Sequence, residues 1–226
     1  MNTRTFFVTS SGTEIGKTYV TTGLIRALRE ADKPVDALKP LITDFTAATR
    51  DGSDTVLILD ALGQDVTDQS VDCVSPWQYK AALAPDMAAA REGLTVPYGD
   101  VIAYCKKVRA ALDEETTLIV EGAGGVLVPV DDTHTMRDLM TDVAATPILV
   151  VGSYLGTISH TLTALEALTQ KGLPPIAIVV SETEDAGIPL EETCTAIQRF
   201  TGDIPLIAVP RGDQVAFGEL ARLVTA

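Results

Sequence analysis

The 226-residue chain carries 31 Asp and Glu against 17 Lys and Arg, a formal net charge of −14, and is 46% hydrophobic. That acidity argues against a nucleic-acid partner held by phosphate neutralisation and against docking on an anionic membrane, while the apolar fraction suffices for a sizeable core. Cys73, Cys105 and Cys194 are isolated and odd in number, which suits a reducing compartment and argues against structural zinc. The stretch MNTRTFFVTS is too short in apolar length for a signal peptide, and no run approaches the ~18 residues of a membrane span. The expected location is cytoplasmic.

In chain order, Phe6 to Thr9 reads as a buried strand, followed by SSGTEIGKT and a helical pattern from Lys17 to Glu30. Strand, glycine-containing loop, Gly16-Lys17-Thr18 and helix is the context that a phosphate loop requires. Backbone N–H groups of such a loop surround phosphates, and the helix N-terminus adds partial positive charge. Lys17 would then reach the β- and γ-phosphates, and the Thr18 hydroxyl would ligate Mg²⁺. The usual spacing G-x-x-x-x-G-K-[ST] places a glycine at position 11, where this chain has Ser11. Gly12 is expected to take the tight bend instead. Taken alone, the tripeptide also fits a plain helix start with a surface lysine.

A second strand, Val35 to Leu38, runs into LKPLIT. Pro40 forces Lys39 out of the helical region, so its ammonium can point into the crevice beyond the strand end. Thr43 adds a hydroxyl. The polar stretch from Thr43 to Asp54 reads as a loop, and Thr55 to Leu62 as a helix. Asp54 is either that helix's N-cap or a metal carboxylate, and the sequence does not separate the two. Helical patterns over Ala81 to Arg91 and Val101 to Leu112 lead to a strand from Leu118 to Val120. That strand ends in Glu121, followed by Gly122, Ala123, Gly124 and Gly125. A carboxylate at a buried strand end is a metal-ligand candidate, and the glycines let backbone approach a ligand.

Strands at Ile148 to Val151, Ile176 to Val180 and Leu206 to Val209 alternate with helices at Ile158 to Gln170 and Leu190 to Phe200. Apolar strands without polar alternation need cover on both faces. The expected fold is a single α/β domain, 1–226, with a mainly parallel sheet, helices on both faces and right-handed crossovers. Ligands in such sheets bind beyond the carboxyl ends of the strands. His134 is expected to be a solvated loop residue and His160 a structural one. There is no G-x-S-x-G elbow. The kit is one for phosphoryl transfer, where positioning and charge stabilisation dominate.

These residues resemble the dethiobiotin synthase family, a P-loop NTPase-like group. The likeness rests on VTSSGTEIGKT, KPLIT, SDT, EGAGG with PV and MRDL after it, and VVGSYLGTISHTLTALEAL, in order and spacing from about Phe6 to about Asp213. The resemblance implies ring closure of 7,8-diaminononanoate with CO₂ and ATP in biotin synthesis, through a carbamate and a carbamic–phosphoric anhydride. It implies that Lys17 and Lys39 are catalytic and that Thr18, Asp54 and Glu121 hold Mg²⁺. Nucleotide contacts would come from Glu14, Ile15, Gly16, Lys17, Thr18 and Tyr19. Further ones would come from Asp54, Glu121, Gly122, Ala123 and Gly124, and from Ser181, Glu182, Pro210, Arg211 and Gly212 after later strands. Thr43 would meet the substrate's reacting end. Leu155, Gly156, Thr157 and Ser159 would take its carboxylate tail at the interface of a homodimer.

The chain departs from the family's usual pattern at Ser10, where glycine is common, and at Ser159, where Asn is common. Ser181-Glu182 stands where many members have an Asn that reads adenine, which leaves the base preference open. The main rival is a partition-type ATPase switch of the same superfamily. Such switches carry a second lysine at the position of Gly12, and this chain lacks it. A cobyrinate-type synthetase would need a further glutaminase domain, for which the chain has no room, and a non-catalytic relative would not need to keep Lys17, Lys39, Asp54 and Glu121.

Overall fold

The structure, a computed structural model, describes residues 4–184, 187–213 and 215–226. Residues 1–3 of the MNTRTFFVTS stretch lie outside the described residues. Six strands, β1 (Thr5–Ser10), β2 (Val35–Leu38), β5 (Thr117–Glu121), β6 (Thr146–Gly152), β7 (Ala177–Ser181) and β8 (Leu206–Val209), form one sheet in the order β2-β5-β1-β6-β7-β8. Every pairing in it is parallel. A separate two-stranded parallel pair joins β3 (Leu41–Ile42) to β4 (Trp77–Gln78).

The apolar strand runs lack polar alternation because both faces are covered. Phe6 and Val8 of β1 join one core with Ile119, Ile148, Val150 and Val179. Phe7 joins the opposite core with Leu118, Val120, Leu149 and Val151. The first core is roofed by α1 (Lys17–Glu30), α2 (Asp54–Leu62), α3 (Asp68–Val74) and α9 (Ala216–Thr225). The second is covered by α4 (Pro85–Arg91), α5 (Tyr98–Ala111), α6 (Met136–Asp142), α7 (Thr157–Thr169) and α8 (Leu190–Thr201). Strand β1 lies between β5 and β6, where the strand order reverses. Such a switch point opens a crevice beyond the carboxyl ends of the strands.

The structure adds helices that the periodicity does not single out. Helices α3 and α6 are seven residues each, too short for a periodic stripe, and are set by local capping boxes at Thr67/Ser70 and Thr135/Asp138. The pattern over Ala81 to Arg91 becomes helical only at Pro85, which fits a first helical position. His134 is not a plain solvated loop residue. Its ring stacks on Tyr98 at 3.8 Å between centroids, and its Nδ1 meets Asp131 Oδ2 at 2.9 Å. His160 is exposed and pairs with the Tyr154 hydroxyl rather than with the core.

Helix α1 packs closely on α9 because Gly23 carries no side chain. A Cβ there would meet the Phe217 ring at 2.3 Å. Alanine has the better helix propensity by about 1 kcal/mol, but overpacking a filled core costs about 1–3 kcal/mol. The clash should win. Gly23→Ala is expected to lower the urea midpoint of unfolding, and an unchanged or higher midpoint would show that α9 is free to shift.

Candidate active site

The loop after β1 bends at two places, and neither is Gly12. Glu14 adopts φ 59° and Gly16 φ 97°, whereas Ser11 and Gly12 keep negative φ. A Cβ at Gly12 would meet only the Ile15 side chain, at 3.7 Å. The expectation that Gly12 takes the tight bend is therefore corrected: the left-handed turns sit two and four residues later. Serine at position 11 costs nothing, because no positive φ is required there. Gly16 then caps α1 without a side chain, leaving the first-turn N–H groups for a ligand.

Ser10 is fully buried, and its hydroxyl donates to the Gly12 carbonyl while accepting from Lys17 Nζ at 3.2 Å. The same oxygen lies 3.2 Å from the Gly124 carbonyl. Gly125 lets the loop after β5 press against this wall, since a Cβ there would be 3.2 Å from the Ser10 carbonyl oxygen. Burial, with the neighbouring Lys39 ammonium, brings the Lys17 pKa down to about 8, against the opposing pull of Glu121 and Asp54.

Lys39 is the centre of the arrangement. Its ammonium touches Glu121 Oε1 at 2.6 Å and Asp54 Oδ2 at 2.8 Å, and it donates to the Gly122 carbonyl at 3.0 Å. Its side chain is 4% exposed and that of Glu121 is fully buried. Burial alone would lower the Lys39 pKa, but the two carboxylates outweigh it and hold the group above the ordinary lysine value. Asp54 is likewise burdened by burial, yet Lys39 and the Thr18 hydroxyl hold its carboxyl below the usual range. Thr18 Oγ1 lies 2.8 Å from Asp54 Oδ1 and 2.9 Å from Glu121 Oε1, and its one proton can serve one of them at a time.

The two readings of Asp54 separate here. Ser53 is the N-cap of α2, its side chain accepting from Val56 N, and Asp54 turns into the site. A divalent cation fits this donor set. Glu121 Oε2 is buried without a hydrogen-bond partner, and Thr18, Asp54 and Glu121 together offer only hard oxygens. Among the described residues no group of three or more His, Cys, Asp or Glu is arranged to hold a metal. A Mg²⁺ ion would therefore complete its shell with phosphate oxygens and water, as that ion usually does.

The site opens on a cleft of about 920 Å³ lined by Thr13 to Tyr19, Lys39, Thr43, Asp54, Ala123 and Gly124. Walls not singled out as site residues from the sequence are Ile42, Asp44, Ala48, Thr49, Gly52, Ser53, Ala82 to Pro85 and Val128. Nothing in the residue types of the apolar ones marks them as site residues. A smaller cavity of about 280 Å³ is bounded by Glu14, Ile15, Gly16, Tyr19, Ser181, Glu182, Arg211 and Gly212. Pro210 lines neither cavity; its carbonyl accepts from Asp213 N in the turn beyond β8. Gly122 is pressed against Phe7, where a Cβ would meet the ring at 2.6 Å. Leu155, Gly156, Thr157 and Ser159 line neither cavity. The Thr157 hydroxyl donates to the Gly152 carbonyl, so its side chain caps β6.

A left-handed turn, a helix N-terminus, a lysine and a threonine at the central strand of a parallel sheet define a P-loop nucleotide-binding α/β protein. A family model described as an AAA domain matches residues 4–217. The MinC:MinD cell division protein complex of Aquifex aeolicus contains a chain of the same fold, with TM-score 0.55 at 11% identity, covering 98% of this chain and 92% of that one. MinD of Pyrococcus horikoshii gives TM-score 0.51 at 20% identity, covering 96% and 85%. Sequence is far more specific. The ATP-dependent dethiobiotin synthetase of Acidiphilium cryptum is 42% identical over 201 residues, 88% of this chain and 89% of that one. The same enzyme of Methylobacterium nodulans is 43% identical over 211 residues, covering 92% and 93%. The chain belongs to the dethiobiotin synthetase family.

The buried ion pair makes a stability prediction. Lys39→Met leaves the Glu121 carboxylate buried without its cation and is expected to cost about 3 kcal/mol, whereas removing both charges is often close to neutral. Adding Glu121→Gln should therefore restore more than half of that loss in urea unfolding. A double variant no more stable than the single one would show that the two groups are not coupled.

Proposed function

We propose that the chain closes the ureido ring of dethiobiotin from 7,8-diaminononanoate, CO₂ and ATP. The observation that carries the reading is Lys39 bridging Glu121 and Asp54 beside the phosphate loop, in a chain more than 40% identical to enzymes named for that product. One neutral amine of the substrate adds to CO₂, forming a carbamate and releasing a proton. A carbamate oxygen then takes the γ-phosphoryl group of ATP, giving the mixed anhydride and ADP. The second amine attacks the carbonyl carbon, the C–O bond to phosphate breaks, and inorganic phosphate leaves with loss of the amine proton.

The chain's part is to hold and to neutralise. Lys17, in the phosphate loop, would neutralise charge on the transferring phosphoryl group, and Lys39 charge on the carbamate. Thr43, on the cleft wall, meets the reacting end of the diamine. Thr18, Asp54 and Glu121 would hold Mg²⁺, which would offset phosphate charge. Bringing both amines beside one phosphoryl group supplies the proximity that the reaction needs. Backbone of Glu14 to Tyr19 and of Ala123 to Gly124 forms the phosphate wall, and the smaller cavity takes the nucleoside.

The tail carboxylate belongs at the start of α7, next to a second copy of the chain. The exposed Leu155 and Ile158 flank that helix start and support an interface there. A cytoplasmic location agrees with three free cysteines.

The test is a turnover assay with diaminononanoate, bicarbonate, Mg²⁺ and ATP, scored for dethiobiotin by mass. Product that requires the diamine is expected. ATP hydrolysis indifferent to the diamine would sink the proposal and favour a switch-type ATPase. Lys17→Ala should cost about 10²–10³ in turnover, the usual loss on removing one charge-stabilising donor. It should not lower the melting temperature, because it removes a buried cation whose hydrogen bond among the described residues is to a neutral hydroxyl.

A further inference from the structure

We infer that Asp44 binds the cationic end of the diamine, its carboxylate pairing with the substrate's ammonium on the cleft wall outside the phosphate loop. The inference rests on the reaction proposed above. It names a partner for the part of the substrate that Lys17 and Lys39, both cations, cannot hold.

The substrate's own charge sets the requirement. A primary aliphatic amine is protonated at neutral pH, as the lysine side chain is. Two adjacent amines repel each other's charge, so the second proton is held more weakly. The diamine therefore arrives with one ammonium beside one neutral amine. The neutral amine is free to take CO₂. The ammonium needs an anion, and the phosphate loop meets it with a lysine.

The side of the cleft built by residues 42–53 and 82–85 supplies that anion. Its lining residues are small, apolar or hydroxylic except Asp44, the one charged residue among them. A mostly apolar wall with one placed charge suits an alkyl chain that carries an ammonium. The other carboxylates that line the cleft have different surroundings. Asp54 is taken by Lys39 and Thr18, and Glu14 stands in the phosphate loop, on the border with the smaller cavity. Asp44 is exposed and follows Thr43, which the proposed reaction puts at the reacting end. Among the described residues its carboxylate makes no hydrogen bond or ion pair. Arg50, in the same loop, is paired instead with Asp68 at 2.6 Å.

The backbone of Asp44 is held in place for such a task. It has φ 57°, a left-handed conformation that aspartate tolerates better than most residues. Its N–H donates to the Ala81 carbonyl at 3.2 Å, and its carbonyl accepts from the Thr49 hydroxyl at 2.5 Å. Phe45 N–H donates to the Tyr79 carbonyl at 3.0 Å. These bonds tie the turn to both parts of the wall, so the carboxylate is presented from a set position. An ion pair favours the protonated amine, so the effect of Asp44 falls on binding rather than on ring closure.

The experiment compares the full chain with Asp44→Asn and Asp44→Gly. Both replacements accept the left-handed turn and both remove the charge; melting temperatures check the fold. Dissociation constants are measured by calorimetry, for 7,8-diaminononanoate without nucleotide or Mg²⁺ and for Mg²⁺-ATP without the diamine. The turnover assay gives kcat and the KM for the diamine. Both variants are expected to raise the diamine dissociation constant and KM by about 10–10²-fold, the usual worth of a hydrogen bond between charged groups. The Mg²⁺-ATP constant should stay unchanged, and kcat should fall by less than KM rises. Unchanged diamine binding in a variant that keeps its melting temperature would overturn the inference. A loss confined to Mg²⁺-ATP binding would overturn it too, placing the carboxylate with the nucleotide's metal ion. If wild type makes dethiobiotin and the variants match it, the inference alone fails. If wild type does not bind the diamine, the proposed reaction fails with it.

Discussion

The site depends on one close contact, the buried Lys39 ammonium held between the buried Glu121 and the partly exposed Asp54. Three separate segments must converge to make it: the end of β2, the end of β5 and the start of α2. Removing these charges from water is costly, and attraction repays the cost only when the geometry is close and the remaining donors are used. The distances of 2.6 and 2.8 Å and the third bond to the Gly122 carbonyl meet that condition. Register follows from it. Leu38 pairs with Val120 across β2 and β5, which puts Lys39 beside Glu121 as both strands end.

The two lysines are consequently not equivalent. Lys39 has its carboxylates and stays charged, whereas Lys17 holds a neutral hydroxyl, with burial bringing the pKa of its ammonium to about 8. Lys39 already meets both carboxylates, so on the proposed reading the charge of a bound triphosphate would fall to Lys17, to backbone N–H groups and to a divalent ion. That division suits a chain whose overall charge of −14 repels anions at a distance. Ser10 fits the same scheme. Its hydroxyl satisfies Lys17 and the Gly12 carbonyl, holding the loop in one shape before any phosphate arrives.

What the sequence discloses and what it withholds divide along physical lines. Strand ends were legible because apolar runs stop abruptly at Lys39 and Glu121, and a charge is rarely buried at a strand end without a partner or a ligand to meet. The loop was legible as a phosphate site but not in its bends. Spacing rules assume that glycine marks the turn, and here Glu14 tolerates the left-handed conformation while Gly12 does not use it. The role of Asp54 was open because a cap and a ligand have the same residue type; only the fold shows Ser53 doing the capping. The walls at Ala82 to Pro85 carry no motif, and they reach the cleft because α4 starts only at Pro85, leaving the preceding residues as irregular chain.

The lining of the cleft also agrees with the chemistry. Among the described residues that line it there is no histidine and no cysteine. Ring closure of a diamine needs no side-chain nucleophile, because each new bond to the carbonyl carbon is made by the substrate's own amines. What such a reaction needs is charge placed where a phosphoryl group departs, and a rigid frame to hold three reactants together. A central strand, a loop fixed by Ser10 and a buried Lys39 furnish that frame, and the sheet holds it rigid.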